Sequence, residues 1–318
     1  PTKPLRGSHC LADSGNTHGA AEDFRTPDTR SHIAPTGWTP PGKFLKVTGS
    51  ASIGVMPDPL LPLLPGPQDA DRPWLVCYGI DERVELTGHV LSMWLAKIAG
   101  FVTSESTPGD GVHVGLPPHW RSVAWACGTW LAGRSVLLGS SAHIHAAGLL
   151  PELSVAFAPE SLVDEAEAQA LVPPASLALR WPGELPALVL DGAADLMHYP
   201  DRFTPVSTAA DSVCLRDLAA GGAAPAAPGT TAATVPSGER PTTLTRAQLA
   251  ARVEAAGAST GGGNRSASRA VLVRSPDTAQ MLQEVLAAWR AGRTAVVLTP
   301  EADDDVAAAA IRQEGITA

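Results

Sequence analysis

Hydrophobic and polar positions follow two different periods along this chain. Residues 74–78 form a short apolar run that predicts a strand, and residues 84–86 predict a second, paired with it across a turn at 79–82. From Thr87 the period becomes helical: Val90, Leu91, Trp94, Leu95, Ile98 and Phe101 fall on one face. The Thr87 hydroxyl is placed to accept a first-turn N–H of that helix. A Pro-Gly-Asp-Gly turn at 108–111 leads into a strand at 112–116. Pro117 and Pro118 then open a second helix, since proline is tolerated in a first helical turn. Its apolar side carries Trp120, Val123, Ala124, Cys127 and Leu131. Gly133 closes it, and residues 135–138 predict another strand. Strand, helix and strand with short connections make a βαβ unit, with parallel pairing and a right-handed crossover.

Further on, residues 153–157 predict a strand and residues 160–171 an acidic helix, with 175–179 and 187–190 completing the region. Residues 219–235, AAGGAAPAAPGTTAATV, lack large apolar groups and read as a linker or long loop. A second α/β run follows. Thr245 caps a helix to about 256, residues 270–274 form a strand, and Asp277 with Gln280 stands at capping-box spacing before a helix ending near Arg290. Residues 294–298 predict a strand. Asp303, Asp304 and Asp305 sit where a helix dipole favours carboxylates, and Gly315 ends that last helix. The expected fold class is α/β, with βαβ-type layered sheets. The expected organisation is a largely disordered extension (1–70), a first α/β subdomain (71–218), the linker (219–235) and a second, incomplete α/β subdomain (236–318). Within the extension, residues 1–50 show no sustained period. They read as loosely draped chain or as a non-native stretch upstream of the real start.

Composition narrows the function classes. At 318 residues and 44% hydrophobic, the chain can bury a sizeable core. A net charge of −9 argues against a basic nucleic-acid groove and against a polybasic membrane patch. No apolar run has the length of a membrane span, and the leucines at 60–64 are interrupted by prolines. The N-terminus lacks a signal-peptide pattern. Cys10, Cys77, Cys127 and Cys214 are scattered, with no C-x-x-C pair, which suits reduced thiols in a cytoplasmic protein.

Three stretches carry a family resemblance. Leu86-Thr87 opens the first helix, Gly111-Val112-His113-Val114-Gly115-Leu116-Pro117 forms a turn and strand, and Trp130-Leu131-Ala132-Gly133 ends the second helix. Their order and spacing over roughly 60 residues resemble the opening of adenylate-forming (AMP-binding, acyl-CoA-synthetase-like) enzymes. Glu82 to Leu86, Trp94 to Lys97 and Leu116 to Trp120 are similar to a short, uncharacterised actinobacterial group within that superfamily. The resemblance implies ATP or AMP with Mg as cofactors, an acyl substrate, and a phosphate loop of the form G-x-P-K-G-x-x-x-T. The counterpart here is residues 235–246, in which Ser237, Gly238, Arg240, Thr242 and Thr243 are the candidate cofactor-binding residues. The family's lysine and the glycine after it are absent; no lysine follows Lys97, and Glu239 brings negative charge toward the phosphates. Arg240 or Arg246 is left as a substitute, though neither has the loop geometry.

The family's later acidic segment, ribose-binding aspartate, hinge and lid have no counterpart. The expectation is therefore an incomplete adenylate-forming-like protein without independent ligase activity, acting as a module that binds a small acyl or nucleotide ligand or a protein partner. The alternative is an active acyl-adenylating enzyme with a degenerate loop or one completed by a second chain.

Other motifs favour bland readings. Residues 259–264, STGGGN, follow a helix and precede a strand, the wrong polarity for a phosphate loop. His143 and His145 lack a third metal ligand nearby and read as a solvated loop. His119 reads as packing with Trp120. There is no G-x-S-x-G elbow, and Asp191, Asp195 and His198 lack a nucleophile. No catalytic residue and no metal ligand is assigned.

Overall fold

The computed structural model describes residues 57–66, 68–69, 72–219, 241–260 and 268–317. β1 (Pro73–Tyr78) and β2 (Arg83–Thr87) pair antiparallel, with the Gly79 N–H donating to the Glu82 carbonyl at 2.9 Å across the expected turn. Thr87 caps α1 (Gly88–Glu105) by accepting from the Val90 N–H at 3.3 Å. Leu91, Leu95, Ile98 and Phe101 of the foreseen stripe are buried, while Val90 and Trp94 pack at the margin.

α1 lies against α2 (Trp120–Leu131), where Phe101 meets Trp125 edge to face with ring centres 5.6 Å apart. The close approach needs Gly128: a Cβ there would stand 2.5 Å from Ile98 Cγ2 and 3.1 Å from the Leu95 carbonyl oxygen. Pro117 and Pro118 stand just before α2 rather than inside its first turn. His119 is the N-cap, with Nδ1 accepting from the Arg121 N–H at 3.1 Å, and the Ser122 hydroxyl accepts in return from the His119 N–H.

Two sheets organise the rest. The seven-stranded sheet runs β7-β6-β5-β3-β4-β8-β9. It comprises β3 (Val112–Gly115), β4 (Val136–Leu138), β5 (Leu153–Ala156), β6 (Ala168–Leu171), β7 (Val189–Asp191), β8 (Val213–Asp217) and β9 (Thr242–Thr245). All its pairings are parallel except β8 with β9. The β3–α2–β4 unit is the βαβ crossover expected from the sequence.

The four-stranded sheet runs β10-β11-β1-β2, with β10 (Ala270–Val273) and β11 (Thr294–Leu298) parallel to β1. Both its faces are covered. Leu75, Cys77, Ala295 and Val297 point into the main core, while Val76, Tyr78, Val296 and Leu298 meet α6 (Asp304–Gln313). This explains the unbroken apolar run in β1, since a strand covered on both sides has no polar alternation. α4 (Arg246–Thr260) and α5 (Thr278–Arg290) pack together; Asp277 caps α5, though Gln280 turns to Glu284 instead of closing the expected box, and Asp303, expected near the helix start for the dipole, is the N-cap of α6.

Several expectations change. The acidic helix at 160–171 does not form. A 3-10 turn, Pro159–Ser161, is followed by β6, which pairs with β5 in the register Leu153↔Ala168. The Ala and Glu residues there have helical propensity, but the parallel pairing buries Ala170 and Leu171 completely, and tertiary burial overrides propensity. His143 and His145 lie on a short helix, α3 (Ser141–Ala146), which Ser140 caps. β8 and β9 were not foreseen. Both sheets take strands from either side of residues 219–235, and residues 220–240 lie outside the described region. Residues 1–56 also lie outside it. Within the stretch assigned to the extension, however, Leu60, Leu63 and Leu64 are buried around a 3-10 turn, Leu61–Leu63.

Candidate functional site

Parallel strands leave their carboxyl ends together, and ligands in open α/β sheets bind in the crevice beyond those ends. Here the C-terminal ends of β3, β4 and β8, with the segments after β10 and β11, surround a cleft of about 500 Å³. Its wall includes Gly115, Gly139, Ser140, His143, Asp217 and Thr278. A second hollow of about 380 Å³ shares Pro117, Pro118 and Pro300 with it and continues past β1 and β11.

The charge of these walls is one-sided. Glu160, Asp217 and Asp277 line the first cleft, and Asp81, Glu82 and Glu301 the second; among the described residues neither lining includes a lysine or arginine. Asp277 also spends its carboxylate on the α5 N-terminus, accepting from the Gln280 N–H at 2.7 Å. The helix end that would otherwise attract an anion therefore already holds one. The described residues of these clefts do not suit a triphosphate.

Two buried histidines near the clefts are internally satisfied. His113 on β3 is fully buried. Its Nδ1 lies 2.9 Å from Ser154 Oγ and its Nε2 lies 2.9 Å from the Gly139 carbonyl. A carbonyl can only accept, so Nε2 carries the proton and the Ser154 hydroxyl donates to Nδ1. Ser154 Oγ in turn accepts from the Val163 N–H at 2.9 Å, which closes the network. Burial lowers the proton affinity of His113 and keeps it neutral.

His119 is 3% exposed. Since its Nδ1 accepts from Arg121, Nε2 donates to Ser176 Oγ at 3.1 Å, and the Ser176 hydroxyl donates to Glu82 Oε1 at 2.7 Å. Burial first, then the Arg121 charge, pushes His119 down to about 4. The three side-chain types resemble a hydrolytic triad, but the hydroxyl's proton points at the carboxylate, so the imidazole does not activate it.

Among the described residues the buried arginines, Arg121 and Arg246, are held by the fold through their Nη atoms, while the Nε of each lacks a hydrogen-bond partner. Arg121 Nη2 donates to the carbonyls of Ser176 at 3.1 Å and Ala178 at 2.9 Å, and the guanidinium lies 4.6 Å from the centre of the Trp120 ring. Burial lowers it to about 10, so it stays charged at neutral pH. Arg246 is fully buried, with Nη1 2.5 Å from Asp58 Oδ2 and Nη2 donating to the Trp130 carbonyl at 3.1 Å. That geometry removes Arg246 as a substitute for the phosphate-loop lysine. Lys97 bonds the Tyr199 carbonyl and Asp201, both at 2.7 Å.

Of the candidate cofactor residues, Ser237, Gly238 and Arg240 lie outside the described region. Thr242 and Thr243 fall on β9, paired with Asp217 and Arg216. Thr242 therefore stands next to a carboxylate of the first cleft, though neither threonine lines it. His143 is drawn into the cleft wall, while the exposed His145 pairs with Glu165 at 3.1 Å. Asp191 accepts from the N–H groups of Trp181, Ala193 and Ala194, and Asp195 accepts from the Asp191 N–H; both carboxylates serve the backbone. Among the described residues no group of three or more His, Cys, Asp or Glu is placed to hold a metal ion, and no helix is long and apolar enough to cross a membrane. The cleft carboxylates were missed in the sequence because they come from five separate places along the chain; their only shared signal is a position at or soon after the end of a strand.

The sequence matches no family model and no curated protein. The fold does match solved structures. An acyl-CoA synthetase from Brucella canis matches with a TM-score of 0.59 at 19% identity, over 78% of this chain and 44% of the other. Acetoacetyl-CoA synthetase from Streptomyces lividans matches with a TM-score of 0.54 at 16% identity, over 77% and 42%. A long-chain-fatty-acid-CoA ligase from Archaeoglobus fulgidus matches with a TM-score of 0.55 at 14% identity, over 79% and 48%. The chain therefore shares the fold of part of these enzymes and spans less than half the length of each.

Proposed function

We propose that this chain, built on the fold of part of an acyl-CoA synthetase, is a binding module without independent ligase activity. The carrying observation is the charge of the clefts at the strand ends: among the described residues that line them, both have carboxylates and neither has a lysine or arginine. Adenylation concentrates negative charge on transferring phosphates and depends on preorganised cations and N–H donors to stabilise it. Carboxylates in the same position oppose it, and Arg121, Arg246 and Lys97 are held by backbone carbonyls and carboxylates elsewhere. The first cleft is of ligand size, so a small neutral or cationic ligand and a protein partner are the two occupants that suit this surface.

The competing reading is an active acyl-adenylating enzyme, and the fold match to ligases favours it. That reading relies on Arg240 or on a second chain for the missing cation. The test is AMP–pyrophosphate exchange by the purified chain with Mg-ATP and a panel of short, long and aromatic carboxylates. The module reading expects no exchange above a protein-free blank. Exchange that scales with protein and disappears in Arg240→Ala overturns it in favour of the ligase.

A further inference from the structure

The second hollow, beyond the ends of β1 and β11, holds polar groups that the fold does not use. Thr299 stands one residue past β11. Strand alternation sets its side chain on the same side as Ala295 and Val297, toward the segment that opens α2. There it lines the hollow with Pro117 and His119. Thr299 is only 8% exposed. Its N–H donates to the Tyr78 carbonyl at 2.9 Å, and its carbonyl accepts from the Ala302 N–H at 3.0 Å. Its hydroxyl has no hydrogen-bond partner among the described residues. Buried polar side chains are as a rule hydrogen-bonded, so an open hydroxyl facing a cavity points to a ligand that completes it.

Two carboxylates of the same hollow are equally unspent. Asp81 and Glu301 are exposed, and among the described residues neither has an ion pair or a hydrogen bond from its side chain. Glu82 adds a third negative charge, but it is turned to Ser176, accepting from its N–H at 3.2 Å and its hydroxyl at 2.7 Å. Arg83, the next residue, is paired with Glu85 at 2.6 Å and Glu314 at 2.9 Å. The rest of the wall is apolar. Phe157 is half-buried and meets His119 edge to face at 5.2 Å, and Ile80 is 63% exposed. The three carboxylates are not grouped to hold a metal ion, which leaves an organic cation as the charge that suits them.

We propose that this hollow binds a small organic ammonium ion with an apolar body. A primary ammonium has three N–H donors, which match the Thr299 hydroxyl and the two unspent carboxylates, Asp81 and Glu301. Hydrogen bonds between ionised groups are the stronger class, so the carboxylates supply most of the selectivity for charge. The apolar body lies against Ile80, Phe157 and the flanking prolines, and the aromatic ring also favours a nearby cation. At about 380 Å³ the hollow has the size of a small-molecule site. The inference rests on the binding-module reading above and names the ligand class of its second cleft.

The test titrates the full chain, without nucleotide, with phenethylammonium and hexylammonium. Phenethyl alcohol and hydrocinnamate serve as the neutral and anionic counterparts. Binding is read by calorimetry and by the NMR shifts of the Gly79 and Thr299 amides. Both ammonium ions are expected to bind saturably, at least about tenfold more tightly than the alcohol, with no binding of the carboxylate. Asp81→Asn and Glu301→Gln, both at exposed positions, are each expected to weaken ammonium binding by about fivefold or more and to leave the alcohol unchanged. Thr299→Val, which keeps the shape and removes the hydroxyl, is expected to weaken it by about threefold or more. Absence of saturable binding, equal binding of ammonium and alcohol, affinity that survives both carboxylate changes, or binding without shifts at Gly79 and Thr299 each overturns the proposal. Because no nucleotide is present, a failure here strikes the ammonium site alone, and only pyrophosphate exchange strikes the module reading.

Discussion

Replacing Arg246 by methionine removes the cation from a pair in which Arg246 is 0% and Asp58 is 1% exposed at the side chain. The pair joins positions 188 apart in sequence, holding the segment before β1 against the start of α4. Removing one partner of a buried pair costs about 3–5 kcal/mol, because the other charge is left in a low-dielectric interior. The remaining carboxylate keeps two partners, the N–H groups of Leu60 at 3.0 Å and Thr208 at 3.2 Å, so the low end of that range applies. At roughly 2–4 °C per kcal/mol for a domain of this size, the melting temperature falls by about 6–12 °C. Urea unfolding measures the change directly. The double variant Asp58→Ala, Arg246→Met should be less destabilised than the sum of the singles by at least about 0.5 kcal/mol, since neither charge is stranded. A single Arg246→Met variant with unchanged stability would refute the reasoning and return Arg246 to the list of available cations.

Gly128→Ala gains about 1 kcal/mol of helix propensity but places a Cβ 2.5 Å from Ile98, and overpacking costs about 1–3 kcal/mol, so thermal unfolding should show a net loss. His119, pushed down to about 4 by burial, is neutral in the folded state and takes up a proton on unfolding below its ordinary range. Its contribution is therefore fully present above about 6.5 and lost as pH falls toward 4. His119→Asn, which keeps a capping side chain, should flatten the pH dependence of urea unfolding in that window relative to the parent. Cys77, Cys127 and Cys214 are buried, with burial raising all three thiols. In a Cys10→Ser background, a chromogenic disulfide reagent should label nothing in the native protein and three thiols once it is unfolded.

The helices that announce themselves by caps and periodicity were legible. Thr87 and Asp277 cap the helices their positions predict, and Asp303 stands at the start of the last helix as its charge predicts. The strands covered on both faces were legible as unbroken apolar runs. What the sequence hid depends on pairing. Residues 168–171 become a strand because β5 offers a parallel neighbour, and β9 exists because Thr242–Thr245 completes the edge beside β8. Neither run carries enough period of its own. Arg246 looked like a spare cation because its partner lies 188 positions away, beyond any local pattern. The cleft carboxylates were equally scattered, and only the meeting of strand ends gives them a common field.

The most direct measurement is a calorimetric titration of the full chain with Mg-ATP and, separately, with AMP. A cleft whose described lining holds carboxylates and neither lysine nor arginine predicts no saturable heat with either nucleotide from a well-folded sample. Saturable binding in the micromolar range would contradict the account and place a working nucleotide site on this chain.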